Sequence, residues 1–218
     1  MFGIFKKNKR EKNPLRSLTK PDDLQVGDIV LLKERLSLPS ELQGAELEVT
    51  AVSTHQYSDG LEKEVTLRSV DNKTYYLSMD DNDGDPVLCF SIKLERMLVN
   101  QLFDLDQFAL LFEPDTVTLD VQSIPDEIKD WVKDGKYVQT ITDVEAYFYH
   151  DDLIAKGISP SSSQDDDGEE FHYFCCDSDV DDNYSLLVEV WGSGETDVSI
   201  EVSTPTDVIA EMWPNAKK

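Results

Sequence analysis

The sequence predicts an α+β protein that is mainly antiparallel β, with two related β-rich units that each end in a short helix. Three observations predict this. Runs of β-branched and aromatic residues recur along the chain, and Gly, Asp and Asn residues separate these runs. In addition, short sequence segments of the first half recur in the second half. The 218 residues, 39% of them hydrophobic, are enough for one large or two small cores.

We predict five strands in the first unit, residues 21–114. They are DIVLLKE from Asp28, AELEVTAVSTHQY from Ala45, KEVTLRSV from Lys63, KTYYLSM from Lys73 and PVLCFSIKL from Pro86. A helix follows at DLDQFALLFE. Asp104 is a good N-cap, Gln107 stands at the capping-box position, and Pro114 ends the helix.

The second unit, residues 115–214, repeats this plan and leaves 215–218 as a tail. Its predicted strands are TVTLDV, KYVQTITDVEAYFYH, EEFHYFCCDS, NYSLLVEVW and ETDVSIEVS, the last two joined as a hairpin across GSG. Two helices are predicted. One is SIPDEIKDWVKDG, with Pro125 in its first turn and Gly135 at its end, and the other is TPTDVIAEMWP, capped by Thr204 and stopped by Pro214.

Similar phrases in the two halves indicate an ancient tandem duplication. VTAVSTHQYSD from Val49 aligns with ITDVEAYFYHD from Ile141, and YYLSMDD from Tyr75 aligns in the same order with YFCCDSD from Tyr173. LSLPSEL likewise resembles QSIPDEI. The alternative is that a β-rich, acidic chain contains such short sequence similarities without a duplication.

The charge is strongly negative and unevenly distributed. The formal net charge is −25, yet residues 1–20 hold seven Lys or Arg and one Glu, a net +6, so the remainder carries −31. Such a body repels the phosphates of nucleic acid, because affinity there comes from basic side chains. We therefore predict no nucleic-acid binding.

Residues 1–20 are predicted to be a basic, flexible tail. Candidate contacts with an anionic membrane or a partner protein are Phe2, Ile4, Phe5, Lys6 and Lys7, which join apolar and basic side chains in one short segment. The alternative is a mobile, solubilising tail, or one that folds onto the acidic body.

The sequence predicts a cytoplasmic protein. It lacks a run of roughly 20 apolar residues, and its N-terminus has apolar residues before its charges, the reverse of a secretory signal. The odd count of three cysteines argues against a disulfide framework.

Candidate metal ligands lie in MDDNDGDP: Asp81, Asp83 and Asp85. Aligned to a calcium loop, this stretch places Met79 and Phe90 where the first and twelfth ligands belong, so an acidic turn between two strands is the alternative. In HYFCC, strand alternation places His172 and Cys176 on one face and Cys175 on the other, which favours buried thiols over zinc. We predict no cofactor.

No catalytic residue is predicted, because the chain has no nucleophile elbow, P-loop or dinucleotide fingerprint. A hydrolase of unrecognised type would need a deep pocket at His150 or His172. Trp191, beside the GSG turn, is a candidate anchor for a protein partner, with packing in the hairpin as the alternative.

The phrases LQVGDIVLL, LPSELQGAELEV, YSDGLEKEVTLRSVDNKTYYLSMDD and LFDLDQFALLFEP resemble an uncharacterised family of bacterial acidic proteins, known as a domain of unknown function. The resemblance covers most of residues 21–114 and, more loosely, the strand-rich stretch LLVEVWGSGETDVSIEVS. Members are sometimes encoded beside phage-shock or envelope-stress genes. The resemblance therefore implies a small cytoplasmic bacterial protein that is an accessory to a membrane-stress system.

Together these observations predict a non-enzymatic binding or adaptor protein whose acidic body recognises a basic protein surface, with the tail as a peripheral membrane contact. Such complementarity raises association rate and specificity and weakens with salt. The alternatives are a protein that binds a small ligand or Ca²⁺ through its acidic turns, and the hydrolase.

Overall fold

A computed structural model describes residues 16–82, 84–158 and 168–215. In these ranges the strands are β1 (Ile29–Leu32), β2 (Glu46–Tyr57), β3 (Gly60–Ser69), β4 (Thr74–Asn82), β5 (Asp85–Lys93), β6 (Thr118–Asp120), β7 (Lys136–Tyr149), β8 (Glu169–Ser178), β9 (Tyr184–Trp191), β10 (Thr196–Pro205) and β11 (Ile209–Trp213). The helices are α1 (Arg96–Leu102), α2 (Leu105–Ala109) and α3 (Leu153–Lys156), and 3-10 turns lie at Pro21–Asp23, Leu110–Phe112, Asp126–Ile128 and Thr206–Val208. The prediction of a mainly antiparallel β fold is confirmed.

The strands form one sheet that closes on itself. Its order is β11-β1-β2-β3-β4-β5-β10-β9-β8-β7-β6, and β2 also pairs with β7. Because of this second pairing, eight strands, β2, β3, β4, β5, β10, β9, β8 and β7, form a closed antiparallel ring. β1 and β11 continue the sheet beyond β2, and β6 pairs with β7.

Closure depends on the length of β2, because different parts of it pair with different strands. Its first part pairs with β1, for example Ile29 with Glu48, and its last part pairs with β7, for example Thr54 with Tyr149. The register with β3 shifts between Val49 and Ala51, where the strand changes partner. Such bulges bend a strand and increase its twist, which helps a sheet to close.

The two faces of the ring have different surroundings. On one face, apolar residues from neighbouring strands stand opposite each other, as in Val65 with Leu77 and Phe90 with Val202, and belong to the main hydrophobic core. On the other face, polar residues stand opposite each other, as in Ser53 with Glu64. This second face encloses the interior of the ring.

Trp131 anchors the core outside the ring. Its side chain is 1% exposed and stacks on Tyr75, with ring centroids 6.0 Å apart. Its indole Nε1 donates a 2.7 Å hydrogen bond to Glu41 Oε1. The long connection between β5 and β7 thereby packs on the outer face of β4.

The helix predicted before Pro114 is present as α2 and the 3-10 turn that follows it. Asp104 caps α2 by accepting a 3.0 Å hydrogen bond from the Gln107 backbone N–H. The helix predicted at SIPDEIKDWVKDG is wrong, since only a 3-10 turn forms there. The Val121 N–H donates to the Gly135 carbonyl at 3.0 Å, so both ends of this segment are held at the β6–β7 pair and the chain between them forms a loop.

The helix predicted at TPTDVIAEMWP is also wrong. A 3-10 turn leads directly into β11, which pairs antiparallel with β1. The backbone of β1 needs hydrogen-bond partners on this side, and β11 supplies them. The second unit therefore ends in a strand and not in a helix.

The two predicted units share this one sheet. The pairings β2–β7, β5–β10 and β1–β11 all join residues on either side of position 114. Within each half, β1–β5 and β6–β10 pair in the same consecutive order. This order matches β4 with β9, whereas the sequence alignment placed Tyr75 of β4 on Tyr173 of β8.

The described chain begins with a segment anchored on the body. Asp28 is 1% exposed and accepts hydrogen bonds from the Gln25 and Asn215 backbone N–H groups, both at 2.8 Å. Arg16 forms an ion pair with the same carboxylate. Among the described residues, no helix is both long enough and apolar enough to cross a membrane.

Candidate ligand-binding cavity

The interior of the ring contains a cavity made of two adjoining chambers. The first chamber has a volume of about 530 Å³ and the second about 450 Å³. Residues from all eight strands of the ring line them, and both chambers are lined by His55, Glu64, Tyr76 and Glu189. Each volume lies in the usual range of small-molecule sites.

The second chamber combines carboxylates with aromatic hydroxyl groups. Glu62 and Glu201 line it, and so do Tyr57 and Tyr173, whose ring centroids lie 5.8 Å apart. The remaining polar lining includes Ser78, Cys89 and Ser91. Among the described residues that line this chamber there is no Lys or Arg.

The first chamber holds one paired cation and an aromatic wall. Lys93 Nζ lies 2.6 Å from Asp197 Oδ2 and 5.4 Å from the centroid of the Tyr76 ring. Trp191 Nε1 donates to the same Asp197 oxygen at 3.3 Å, and the Trp191 ring meets Phe148 edge-on at 5.8 Å. The Asp197 carboxylate therefore orients both the lysine and the indole.

His55 lies where the two chambers meet. Its side chain is buried, with Nε2 3.7 Å from Glu189 Oε1, which is too long for a hydrogen bond. Its ring lies 5.1 Å from Phe148 and 5.6 Å from Phe171. The imidazole is thus held by aromatic packing, while its polar edge faces the cavity.

Burial raises the pKa values of the interior glutamates. The pKa of Glu62 rises to about 7 through burial and the charges of Asp80 and Asp59, although a hydrogen bond from Ser78 opposes the rise. The pKa of Glu201 rises to about 8 through burial and the charges of Glu62 and Asp80. Both groups therefore bind protons more tightly than an ordinary carboxylate does.

The pKa values of the two glutamates that line both chambers, Glu64 and Glu189, are also raised. Burial and the charge of Glu189 raise the pKa of Glu64 to about 7, and burial with the charge of Asp197 raises the pKa of Glu189 to about 7. The Lys93 charge acts against both shifts. Burial and the same lysine lower the pKa of His55 to about 4, so this imidazole is neutral near pH 7.

Of the three predicted metal ligands, the structure describes the side chain of Asp85 alone. No group of three His, Cys, Asp or Glu side chains in residues 16–82, 84–158 and 168–215 is arranged to hold a metal ion. Asp85 is exposed in the β4–β5 hairpin, whereas Asp83 and the side chain of Asp81 lie outside the described part. Cys89, Cys175 and Cys176 are buried free thiols, and burial raises their pKa values.

Trp191, predicted as a candidate anchor for a partner, lines the first chamber of the cavity. It is half-buried and packs against Phe171, with ring centroids 5.1 Å apart. The other predicted contacts, Phe2, Ile4, Phe5, Lys6 and Lys7, lie outside the described residues.

The two histidines considered for a hydrolase are not brought together. His150 is exposed at the rim of the first chamber, where its Nε2 lies 3.0 Å from Glu169 Oε1. His172 lies in β8 on the face that carries Cys176, directed away from the cavity, and its Nδ1 is 2.6 Å from Asp143 Oδ1. They do not share a pocket.

The sequence-based predictions did not include the four interior glutamates, which are Glu62, Glu64, Glu189 and Glu201. Glu62 and Glu64 alternate in β3 with Val65 and Leu67, a pattern that normally indicates a solvent-facing and a core-facing side. The sequence signal was the repeated placement of single carboxylates in the middle of strands. Only ring closure turns the polar side inward.

No family model, curated protein or solved structure matches the chain.

Proposed function

We propose that the protein binds a small organic cation, an ammonium or guanidinium compound, inside the ring. One observation carries the proposal: four glutamates from β3, β9 and β10 face a cavity whose described lining contains one lysine, already paired with Asp197. A cavity this acidic favours a positively charged guest.

Electrostatics gives the proposal its physical basis. A buried carboxylate without a cationic neighbour is costly to ionise, and a bound cation offsets that cost at short range. Aromatic faces such as Tyr57 and Tyr173 add cation–π attraction. A neutral or anionic guest would gain neither contribution.

Binding should be linked to proton release. In the empty cavity, glutamates with pKa values of about 7 to 8 are partly protonated near neutral pH. A bound cation favours their ionised forms, so it lowers these pKa values and displaces protons. The affinity for a cation should therefore increase as pH rises from 6 to 8.

The test is isothermal titration calorimetry with phenethylamine, agmatine and two uncharged or anionic analogues, phenethyl alcohol and phenylacetate. We expect binding of the amines alone, with proton release seen as a dependence of the heat on the buffer. The double variant Glu62→Gln and Glu201→Gln should lose at least tenfold in amine affinity. The control Glu127→Gln, at an exposed position outside the cavity, should bind as the natural protein does. Equal affinity for phenethyl alcohol, or no effect of the double variant, would contradict the proposal.

The adaptor hypothesis concerns the outside of the molecule and remains a separate proposal. The net charge of −25 supports recognition of a basic protein surface by the acidic exterior. The basic N-terminal segment supports a peripheral membrane contact and, with it, an accessory role in membrane stress. A pull-down with the full chain and with a chain lacking residues 1–20 tests the protein contact, and sedimentation of the same two chains with anionic lipid vesicles tests the membrane contact. A partner retained in 1 M NaCl would contradict the electrostatic mechanism.

We also propose a tandem duplication and a cytoplasmic location. The matching strand order of β1–β5 and β6–β10 supports the duplication. The three free cysteines support a reducing compartment.

A further inference from the structure

We infer that the ligand is an arylalkyl amine, with its charged nitrogen between Glu62 and Glu201 in the second chamber and its aromatic ring against Phe148 and Trp191 in the first. This inference rests on the proposed function, since it specifies which organic cation the cavity takes. It follows from the unequal chemistry of the two chambers and from the position of His55 between them.

The second chamber is the better position for the charge. Glu62 and Glu201 interact electrostatically with each other, and the described lining around them offers no basic side chain. In the first chamber, Lys93 already supplies a positive charge close to Glu189 and Glu64. The first chamber is also lined by three exposed glutamates, Glu169, Glu170 and Glu195. Water screens their charges, so an ammonium group is held more strongly in the second chamber, away from Lys93.

The first chamber is the better position for an aromatic ring. Phe148 and Trp191 meet edge to face, with planes at 88°, which is a favoured arrangement for an aromatic cluster that a third ring can join. The bond from Trp191 Nε1 to Asp197 fixes the indole in place before a ligand arrives. A preorganised wall of this kind lowers the entropic cost of binding.

His55 supplies a polar group where the two chambers meet. Its side chain is 9% exposed, and its Nε2 lies 3.7 Å from Glu189 Oε1, beyond hydrogen-bond distance. Because the ring is neutral, a nitrogen that faces the cavity can accept a hydrogen bond. The N–H of an ammonium group near Glu62 is a suitable donor.

The strand register sets the length of the ligand. His55 stands opposite Glu62 of β3 on one side and opposite Phe148 of β7 on the other. Two strand spacings separate Glu62 from Phe148, roughly 10 Å. A ring stacked at about 5 Å from Phe148 then lies about 5 Å from the carboxylate region, which suits a linker of two or three bonds.

The experiment compares phenethylamine, n-butylamine and putrescine by calorimetry, on the natural protein and on variants with unchanged melting temperatures. Phenethylamine should bind about tenfold more tightly than n-butylamine. Phe148→Leu should remove most of this difference and leave n-butylamine affinity within twofold. Glu62→Gln should weaken both monoamines. The matched control Phe112→Leu changes a phenylalanine that does not line either chamber and should change neither affinity.

The failures of the two proposals are distinguishable. Equal affinity for phenethylamine and n-butylamine, or a preference for putrescine, would overturn the arylalkyl inference and leave cation binding intact. Binding of none of the three amines would overturn both.

Discussion

His55 of β2 and Glu189 of β9 face each other across the interior of the ring, with Nε2 3.7 Å from Oε1. The two strands are not neighbours in the sheet, so this contact spans the enclosed space. Burial lowers the pKa of the imidazole to about 4 and raises the pKa of the carboxyl group to about 7. The two groups therefore do not form a strong ion pair near neutral pH. His55 stays uncharged and does not balance the negative charge of the interior carboxylates.

The stability of the ligand-free protein should fall as pH rises from 6.5 to 8. Glu62, Glu64, Glu189 and Glu201 have folded pKa values of about 7 to 8, above their ordinary 4.5, so over this range the folded state holds protons that the unfolded chain has lost. The contribution of these four groups to the free energy of unfolding is complete below about pH 4.5. It is lost as the pH rises through the folded pKa values. His55 acts in the opposite direction, but only between about pH 4 and 6.5. Urea denaturation at pH 6.5, 7.25 and 8 measures the effect.

The variant Glu64→Gln with Glu201→Gln should show a shallower decrease, since two of the four groups no longer titrate. A natural protein whose urea midpoint increases from pH 6.5 to 8 would contradict the assigned pKa shifts.

Removing the interior lysine should raise the pKa values of its neighbours further. Lys93→Met deletes the positive charge that acts against the shifts of Glu64 and Glu189. Titration of the glutamate side-chain carbons by NMR should show both midpoints moving upward. Lys133→Met is the control, because Lys133 pairs with Asp181 outside the cavity at 3.4 Å. Unchanged midpoints in Lys93→Met would mean that this lysine does not influence the interior.

Trp131 should be one of the most stability-critical residues of the outer core. Trp131→Ala removes its stacking on Tyr75 and its hydrogen bond to Glu41, and we expect a loss of about 3 to 5 kcal/mol in the free energy of unfolding. Trp213, which is 40% exposed, is the matched control, and Trp213→Ala should cost about 1 kcal/mol or less. Chemical denaturation followed by far-UV circular dichroism gives both values. Similar losses for the two variants would refute the central role of Trp131.

Asp28 should hold the outer edge of the sheet together. Asp28→Ala leaves the Gln25 and Asn215 N–H groups without their acceptor and breaks the ion pair with Arg16, for an expected loss of about 2 to 4 kcal/mol. Hydrogen exchange should increase first in β11. Asp115→Ala, at an exposed position, should leave the exchange of β11 unchanged. Equal protection of β11 in both variants would show that Asp28 does not secure this edge.

The sequence by itself determined the positions of ten strands and of one capped helix. Alternation of apolar residues and the turn residues between them are local signals, and so is the Asp104 cap of α2. Local signals did not distinguish the helix predicted at TPTDVIAEMWP from β11. Its conformation depends on pairing with β1, about 180 residues earlier in the chain.

The tertiary structure alone decided what the polar strand faces do. Glu62 and Glu64 have the sequence pattern of residues that face solvent, and they face inward because β2 pairs with β7 and closes the ring. That pairing joins residues more than 90 positions apart, such as Thr54 and Tyr149. Long-range pairing is set by the packing of the whole chain and has no local sequence signal, so the acidic cavity could not be foreseen from the strands that form it.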